Sequence, residues 1–293
     1  MFLERLMEDA PVVVDGAMGS AIEAAGVDVD TPLWGSAALL TPEGRALNDR
    51  LHRAYRDAGA ELLIANTHNL SLRHCAAYLE AQGDPTPADT FLRRLHRAAI
   101  ESARSAGTWI AGCLASPDVP YAEEASLTAA EVTERSRVQF EALVELAPDV
   151  VLFEMLTTKA DVEGVAALLD DRVPVGVGLV CRADGAMRSG LAIEDAVAIL
   201  GERVSVFFVQ CTPVDEVDAP LERLLAATDA PVGVYANDGR RWVNGRWHGA
   251  SASCEHYADR AVRWVEAGAK LVGGCCGTGP QHVAAIAERL SRR

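Results

Sequence analysis

Seven cysteines are the residues of this 293-residue chain best suited to chemistry: Cys75, Cys113, Cys181, Cys211, Cys254, Cys275 and Cys276. Two of them are neighbours inside Gly273-Gly274-Cys275-Cys276-Gly277, and Cys211 ends an apolar run 64 positions earlier. Thiolates are soft ligands that suit zinc, and three protein ligands leave one tetrahedral position open, as in catalytic sites. Adjacent side chains of a regular strand point to opposite faces, so Cys275 and Cys276 could grip one ion only if the flanking glycines break the strand. A disulfide between these neighbours would close a strained ring. No C-x-x-C pair occurs, so spacing alone leaves buried thiols as an open alternative to a metal.

Polar residues gather at the ends of other apolar runs. Asp15 and Glu154 could form an acidic pocket for a cation such as an α-ammonium group, or be capped structural carboxylates. Asn66-Thr67-His68-Asn69 offers four hydrogen-bonding side chains in a row, which turn capping explains equally well. His68 could ligate a metal, although a lone histidine is more often a hydrogen-bonded bystander. Asn237 caps a turn or lines the same pocket.

The elements that must position these residues alternate. Short β-branched-rich runs at 12–15, 61–65, 109–114, 150–154, 175–180, 204–211, 232–236 and 271–274 read as strands covered on both faces. Helical spacing fills 45–58, 88–105, 129–146, 159–169, 193–200, 221–228, 256–267 and 281–290. Gly59 and Gly268 stand where a helix C-terminus needs a left-handed residue. Eight strand-helix units predict an α/β fold, a (β/α)8 barrel of one domain over 1–293, with chemistry at the C-terminal ends of the strands. A doubly wound open sheet is the rival, but its G-x-G-x-x-G fingerprint is missing after the first strand. Residues 238–252, rich in Gly, Arg and Trp, read as an active-site loop or a floppy surface loop.

Composition limits the partners. With 27 basic and 42 acidic side chains the net charge is −15, which argues against nucleic acid. No secretory signal and no membrane-length apolar run is legible, so a cytoplasmic location with reduced thiols is expected. No Gly-x-Ser-x-Gly elbow and no Walker-type loop is present, although Gly273-Gly274 and a helix start near Gly279 would permit a phosphate site. Oligomeric state is not legible in the outer-helix patterns.

These residues resemble the homocysteine S-methyltransferases. The resemblance rests on Asp15-Gly16-Ala17-Met18-Gly19-Ser20, on Gln210-Cys211, and on Gly273-Gly274-Cys275-Cys276-Gly277-Thr278-Gly279-Pro280-Gln281-His282. Pro32-Leu33-Trp34-Gly35-Ser36, Leu152-Phe153-Glu154 and Glu266-Ala267-Gly268-Ala269 support it in family order over almost the whole chain. The resemblance implies that Cys211, Cys275 and Cys276 hold zinc. It further implies that Asp15, the Gly16 backbone and Glu154 hold the amino-acid end of a thiol acceptor, with Asn66 and Thr67 nearby.

The implied reaction moves a methyl group from S-methylmethionine, S-adenosylmethionine or betaine to homocysteine. A catalytically silent zinc-containing protein that binds thiol amino acids, or an enzyme for a specialised thiol or selenol, is the alternative. Three departures bear on that choice: Gln210 where the family commonly has Asn, His68 where an aromatic residue is usual, and Ala115-Ser116-Pro117-Asp118-Val119-Pro120 in place of Gly-Ser-x-Gly-Pro.

Overall fold

A computed structural model describes residues 1–243 and 246–292. Eight parallel strands form one sheet: β1 (Val12–Val13), β2 (Leu62–Ile64), β3 (Trp109–Ala115), β4 (Val150–Leu156), β5 (Val175–Leu179), β6 (Val206–Pro213), β7 (Val232–Asn237) and β10 (Leu271–Gly274). They run in the order β1-β10-β7-β6-β5-β4-β3-β2. Val14 pairs in parallel with Leu62 and closes the ring, with Glu61 N–H donating to Val13 O at 2.8 Å and Asp15 N–H to Leu62 O at 3.1 Å. The expected (β/α)8 barrel is therefore the observed one.

Helices wrap the barrel because each carries one apolar stripe. In α5 (Ala88–Arg104), Phe91, Leu92, Leu95, Ala99 and Ile100 are buried at helical spacing. Local signals fix helix starts. Thr41 caps α3 (Pro42–Asp57), which has Pro42 in its first turn, and a Thr128–Glu131 capping box opens α6 (Ala129–Leu146). Gly59 and Gly268 take φ of +107° and +122° at the two helix ends where left-handed residues were expected. Short helices α1 (Phe2–Leu6), α2 (Met18–Ala24) and α4 (Leu72–Gln82) go beyond the sequence expectation. No helix among the described residues is long and apolar enough to cross a membrane.

Alternation along the strands stacks layers inside the barrel. Val206 and Phe208 of β6, Val150 and Leu152 of β4, and Cys113 of β3 form part of one inner cluster, closed at its lower end by Phe2 and Leu6 of α1. Between β4 and β6 the inner positions of β5 are Gly176 and Gly178, because their neighbours take the space. A Cβ on Gly176 would lie 2.5 Å from Leu152 Cδ2 and 2.9 Å from Val206 Cγ1. Gly176→Ala is therefore expected to lower unfolding free energy by about 1–3 kcal/mol through overpacking, read as a lower urea midpoint at unchanged m-value.

The stretch expected as an irregular loop is instead a small antiparallel ribbon, β8 (Arg241–Val243) paired with β9 (Arg246–His248). Residues 244 and 245 of that stretch lie outside the described residues. Its order comes from aromatic packing: Trp242 and Trp247 face each other across the ribbon with ring centroids 5.2 Å apart.

Candidate functional site

All the candidate residues sit at the C-terminal ends of strands, and two clusters form there. Cys211 near the end of β6 meets Cys275 and Cys276 just past β10, with Sγ–Sγ distances of 2.8 Å (211–275), 3.5 Å (211–276) and 4.0 Å (275–276). Contact with one another and burial push the Cys275 thiol up, and burial pushes Cys211 up. Contacts from Cys211 and Cys275 hold Cys276 well below the usual thiol range. The cluster thus favours the thiolate at Cys276 and the thiol at Cys211 and Cys275.

The backbone achieves this convergence in two ways. Cys211 has φ of +45°, and the β6/β7 register shifts between Gln210 and Pro213. Such a left-handed residue costs about 1–3 kcal/mol and persists only where the surroundings hold it. Asn237 Nδ2–H donates to Cys211 O at 2.9 Å and supplies part of that hold. On the other side, of the three flanking glycines expected to break the strand only Gly277 turns the chain, while Gly273 and Gly274 stay within β10. They are small because a Cβ on Gly273 would lie 2.7 Å from Val14 Cβ, and one on Gly274 2.1 Å from Thr278 Oγ1. The turn comes after the cysteines: Thr278 N–H and Oγ1–H both donate to Cys275 O, at 3.1 and 2.7 Å, while Gly277 takes φ of +82°. A side chain at Gly277 would also strike Asp238 Oδ2 at 2.0 Å.

The second cluster is the acidic wall. Asp15 is fully buried; its Oδ2 accepts from Ile64 N–H at 2.9 Å, while Oδ1 has no partner. Burial pushes its carboxyl well above the usual range, and the charge of Glu154 adds to this. Glu154 accepts from Tyr235 Oη–H at 3.1 Å, and its other oxygen lies 2.6 Å from His68 Nδ1. Burial disfavours the charged imidazole, but the bond to Glu154 and its charge outweigh it and raise the His68 pKa. Gly16 lies against Tyr55 and Thr278, where a Cβ would come within 2.9 Å of Thr278 Oγ1.

Asn66 and Thr67 are close by but turned to the protein. Asn66 Nδ2–H bonds Gly35 O and Asn48 Oδ1, both at 3.1 Å, and its Oδ1 accepts from Ser36 Oγ–H. Thr67 Oγ1 donates to Cys113 O at 2.7 Å and accepts from Cys113 N–H at 2.9 Å. Cys113 with His68 and Glu154 forms another group of potential ligands, yet burial pushes its thiol well up and keeps it protonated. Cys75 and Cys181 are buried, and Cys254 opens α10 (Cys254–Ala267); none of them belongs to the three-sulfur group.

Two side chains of this site escape sequence reasoning, and a third, singled out in the sequence, gains its role only from the fold. Tyr121, in the loop after β3, places its hydroxyl 3.0 Å from Cys211 Sγ and packs against Trp242 and Trp247, with centroids 6.4 and 5.9 Å away. A single aromatic residue in an irregular loop carries no signal of such a role. Tyr235 was legible in principle, since strand alternation puts it on the inner face of β7. The third is Gln210, whose Oε1 accepts from Met155 N–H at 2.7 Å across the barrel interior.

Comparison with known proteins agrees with this arrangement. The homocysteine S-methyltransferase family profile matches residues 12–290. A curated homocysteine S-methyltransferase of Escherichia coli K12 is 28% identical, with 95% of this chain and 94% of that protein aligned. Crystal structures of the homocysteine methyltransferase MmuM from Escherichia coli, in oxidized and metallated forms, have the same fold, with TM-scores of 0.81 and 0.79 at 24% identity over 97% of each chain. With the barrel, the strand-end cysteines and a family match over nearly its full length, the chain belongs to the homocysteine S-methyltransferase family of transferases.

Proposed function

We propose that this protein moves a methyl group from a small sulfonium or ammonium donor, of the S-methylmethionine, S-adenosylmethionine or betaine type, to the thiol of homocysteine, giving methionine. The observation that carries the reading is the convergence of three cysteine sulfurs at a barrel rim that also carries a buried carboxylate oxygen, Asp15 Oδ1, with no partner. The donor set fits zinc: all three ligands are soft, and sulfurs about 2.3 Å from a tetrahedral ion lie about 3.8 Å apart. The observed 2.8, 3.5 and 4.0 Å bracket that value. Cys211, Cys275 and Cys276 would hold the ion, and when bound it supplies the acidity that keeps an acceptor thiol deprotonated at neutral pH.

The chain's own residues do the rest. Asp15 Oδ1 takes the acceptor's ammonium group, and Glu154 adds negative charge on the same side. Gly16 lets the acceptor approach the backbone closely, where any side chain would collide with Thr278 or Tyr55. Asn66 and Thr67 hold the β2 end against β3 and the 34–40 segment, which fixes the wall that Glu154 and His68 share. Tyr121, packed on Trp242 and Trp247 of the ribbon, covers the Cys211 side of the cluster with its hydroxyl against Cys211 Sγ. The acceptor sulfur attacks the methyl carbon as the donor's sulfide or amine leaves with the bonding pair. Positive charge on the donor and negative charge on the acceptor cancel, so the transition state buries no new charge and needs no general base.

Purified protein incubated with homocysteine, zinc and each donor in turn should form methionine with at least one donor, read by mass spectrometry. Absence of product from all three sinks the reading. The His68 bond to Glu154 favours a second one, an enzyme for a specialised thiol or selenol acceptor, since it occupies an oxygen otherwise free for an ammonium group. A selenol analogue turned over in preference to homocysteine would establish it, while tight homocysteine binding without turnover would mark a silent binding protein.

A further inference from the structure

Two strands of the barrel are bulged at the site, and one side chain joins them. Met155 in β4 has φ of +62° and Cys211 in β6 has φ of +45°. Register shifts accompany both, between Phe153 and Leu156 against β5 and between Gln210 and Pro213 against β7. Gln210 is buried inside the barrel, and its Oε1 reaches across β5 to accept from Met155 N–H at 2.7 Å. The route exists because β5 has glycine at the crossing point. A Cβ on Gly178 would lie 2.3 Å from Gln210 Oε1 and 2.9 Å from its Cδ. Strands β4 and β6 are two strand spacings apart, about 10 Å, so a side chain one methylene shorter could not make this span.

The residues joined are the neighbours of the groups that matter. Glu154 precedes Met155, and Cys211 follows Gln210. Left-handed non-glycine residues persist only where surrounding bonds hold them, and this bond holds the β4 bulge from the strand that carries Cys211. We propose that Gln210 is a positioning residue that fixes the separation between the sulfur cluster and Glu154, and thereby the length of acceptor the pocket takes. This rests on the reading of the site as the acceptor pocket of a thiol methyltransferase.

The test compares Gln210→Met, which keeps volume and removes the acceptor oxygen, with Gly178→Ala, which blocks the crossing. Gln210→Asn, which keeps the amide and loses only reach, serves if either fails to fold. Amide hydrogen exchange at Met155 should rise at least tenfold in each. The preference in kcat/KM for homocysteine over cysteine, which is one methylene shorter, should fall about tenfold or more, in line with the sensitivity of reaction rates to ångström-scale misplacement. The Gly178→Ala/Gln210→Met double variant should be no worse than either single one, since both remove the same bond. Unchanged exchange at Met155 overturns the brace, and unchanged chain-length preference overturns its positioning role. Wild-type protein without methyl transfer would instead overturn the proposed reaction, and the exchange comparison would still decide the brace.

Discussion

Cys276→Ala is expected to remove bound metal and to lower methyl transfer by about a thousandfold or more. Two losses combine. A free thiol with pKa near ~8.5 is only a few per cent ionised at neutral pH, and an acceptor no longer anchored by its sulfur also loses its alignment with the methyl carbon. Cys276 lies partly exposed in the turn after β10, so its truncation leaves the barrel core intact. Metal content per chain should fall from near one to near zero while far-UV circular dichroism is unchanged. Cys254→Ala, at the start of α10 and outside the cluster, should keep both metal and turnover. A Cys276→Ala protein that retains stoichiometric metal and wild-type rate would refute the assignment of the three sulfurs.

Asp15→Asn should move activity and stability in opposite directions. The substitution keeps an oxygen for Ile64 N–H and replaces the unpartnered Oδ1 with an amide donor that an ammonium group cannot use. Loss of a buried charge partner is commonly about 2–5 kcal/mol, so kcat/KM for homocysteine should drop about a hundredfold, mainly through KM. Stability follows the opposite sign. The folded-state carboxyl titrates well above its unfolded value because burial disfavours the charged form. The native state therefore binds more protons than the unfolded one between those two values, and stability declines as pH rises through that window. Asparagine abolishes this decline, so the variant's Tm without ligand should exceed wild type at neutral pH by about 2 °C or more. The gap should close as pH falls toward the unfolded carboxylate range. A variant less stable than wild type at pH 7 that binds homocysteine normally would refute the role of Oδ1.

Both effects concern residues visible in the sequence as strand ends, and that visibility has a local cause. Strand and helix are set by short-range periodicity, so eight β-branched runs with amphipathic spacers already specify a barrel and place Asp15, Glu154, Cys211, Cys275 and Cys276 at one rim. Terminal signals such as Thr128 with Glu131, or Gly268, are likewise contained within a few residues. The three-sulfur composition of the site needed only the knowledge that this rim gathers the chemistry.

What lay beyond the sequence depends on register and on contacts far apart along the chain. The bulges at Met155 and Cys211 exist only relative to neighbouring strands, and no local pattern marks them. Gly273 and Gly274 looked like strand breakers, but Val14 and Thr278 pressing on them are what require glycine there. His68 has one meaning alone and another 2.6 Å from Glu154, 86 positions away. Asn66 and Thr67 were legible as polar strand-end residues, yet only the packed barrel decides that their hydrogen bonds go to Gly35, Asn48 and Cys113. Sequence by itself therefore determined which groups this protein brings to the barrel mouth. Tertiary structure decided where each points and what it touches, because side-chain direction at a bulged strand end is fixed by neighbouring strands and not by the residue's own neighbours in the chain.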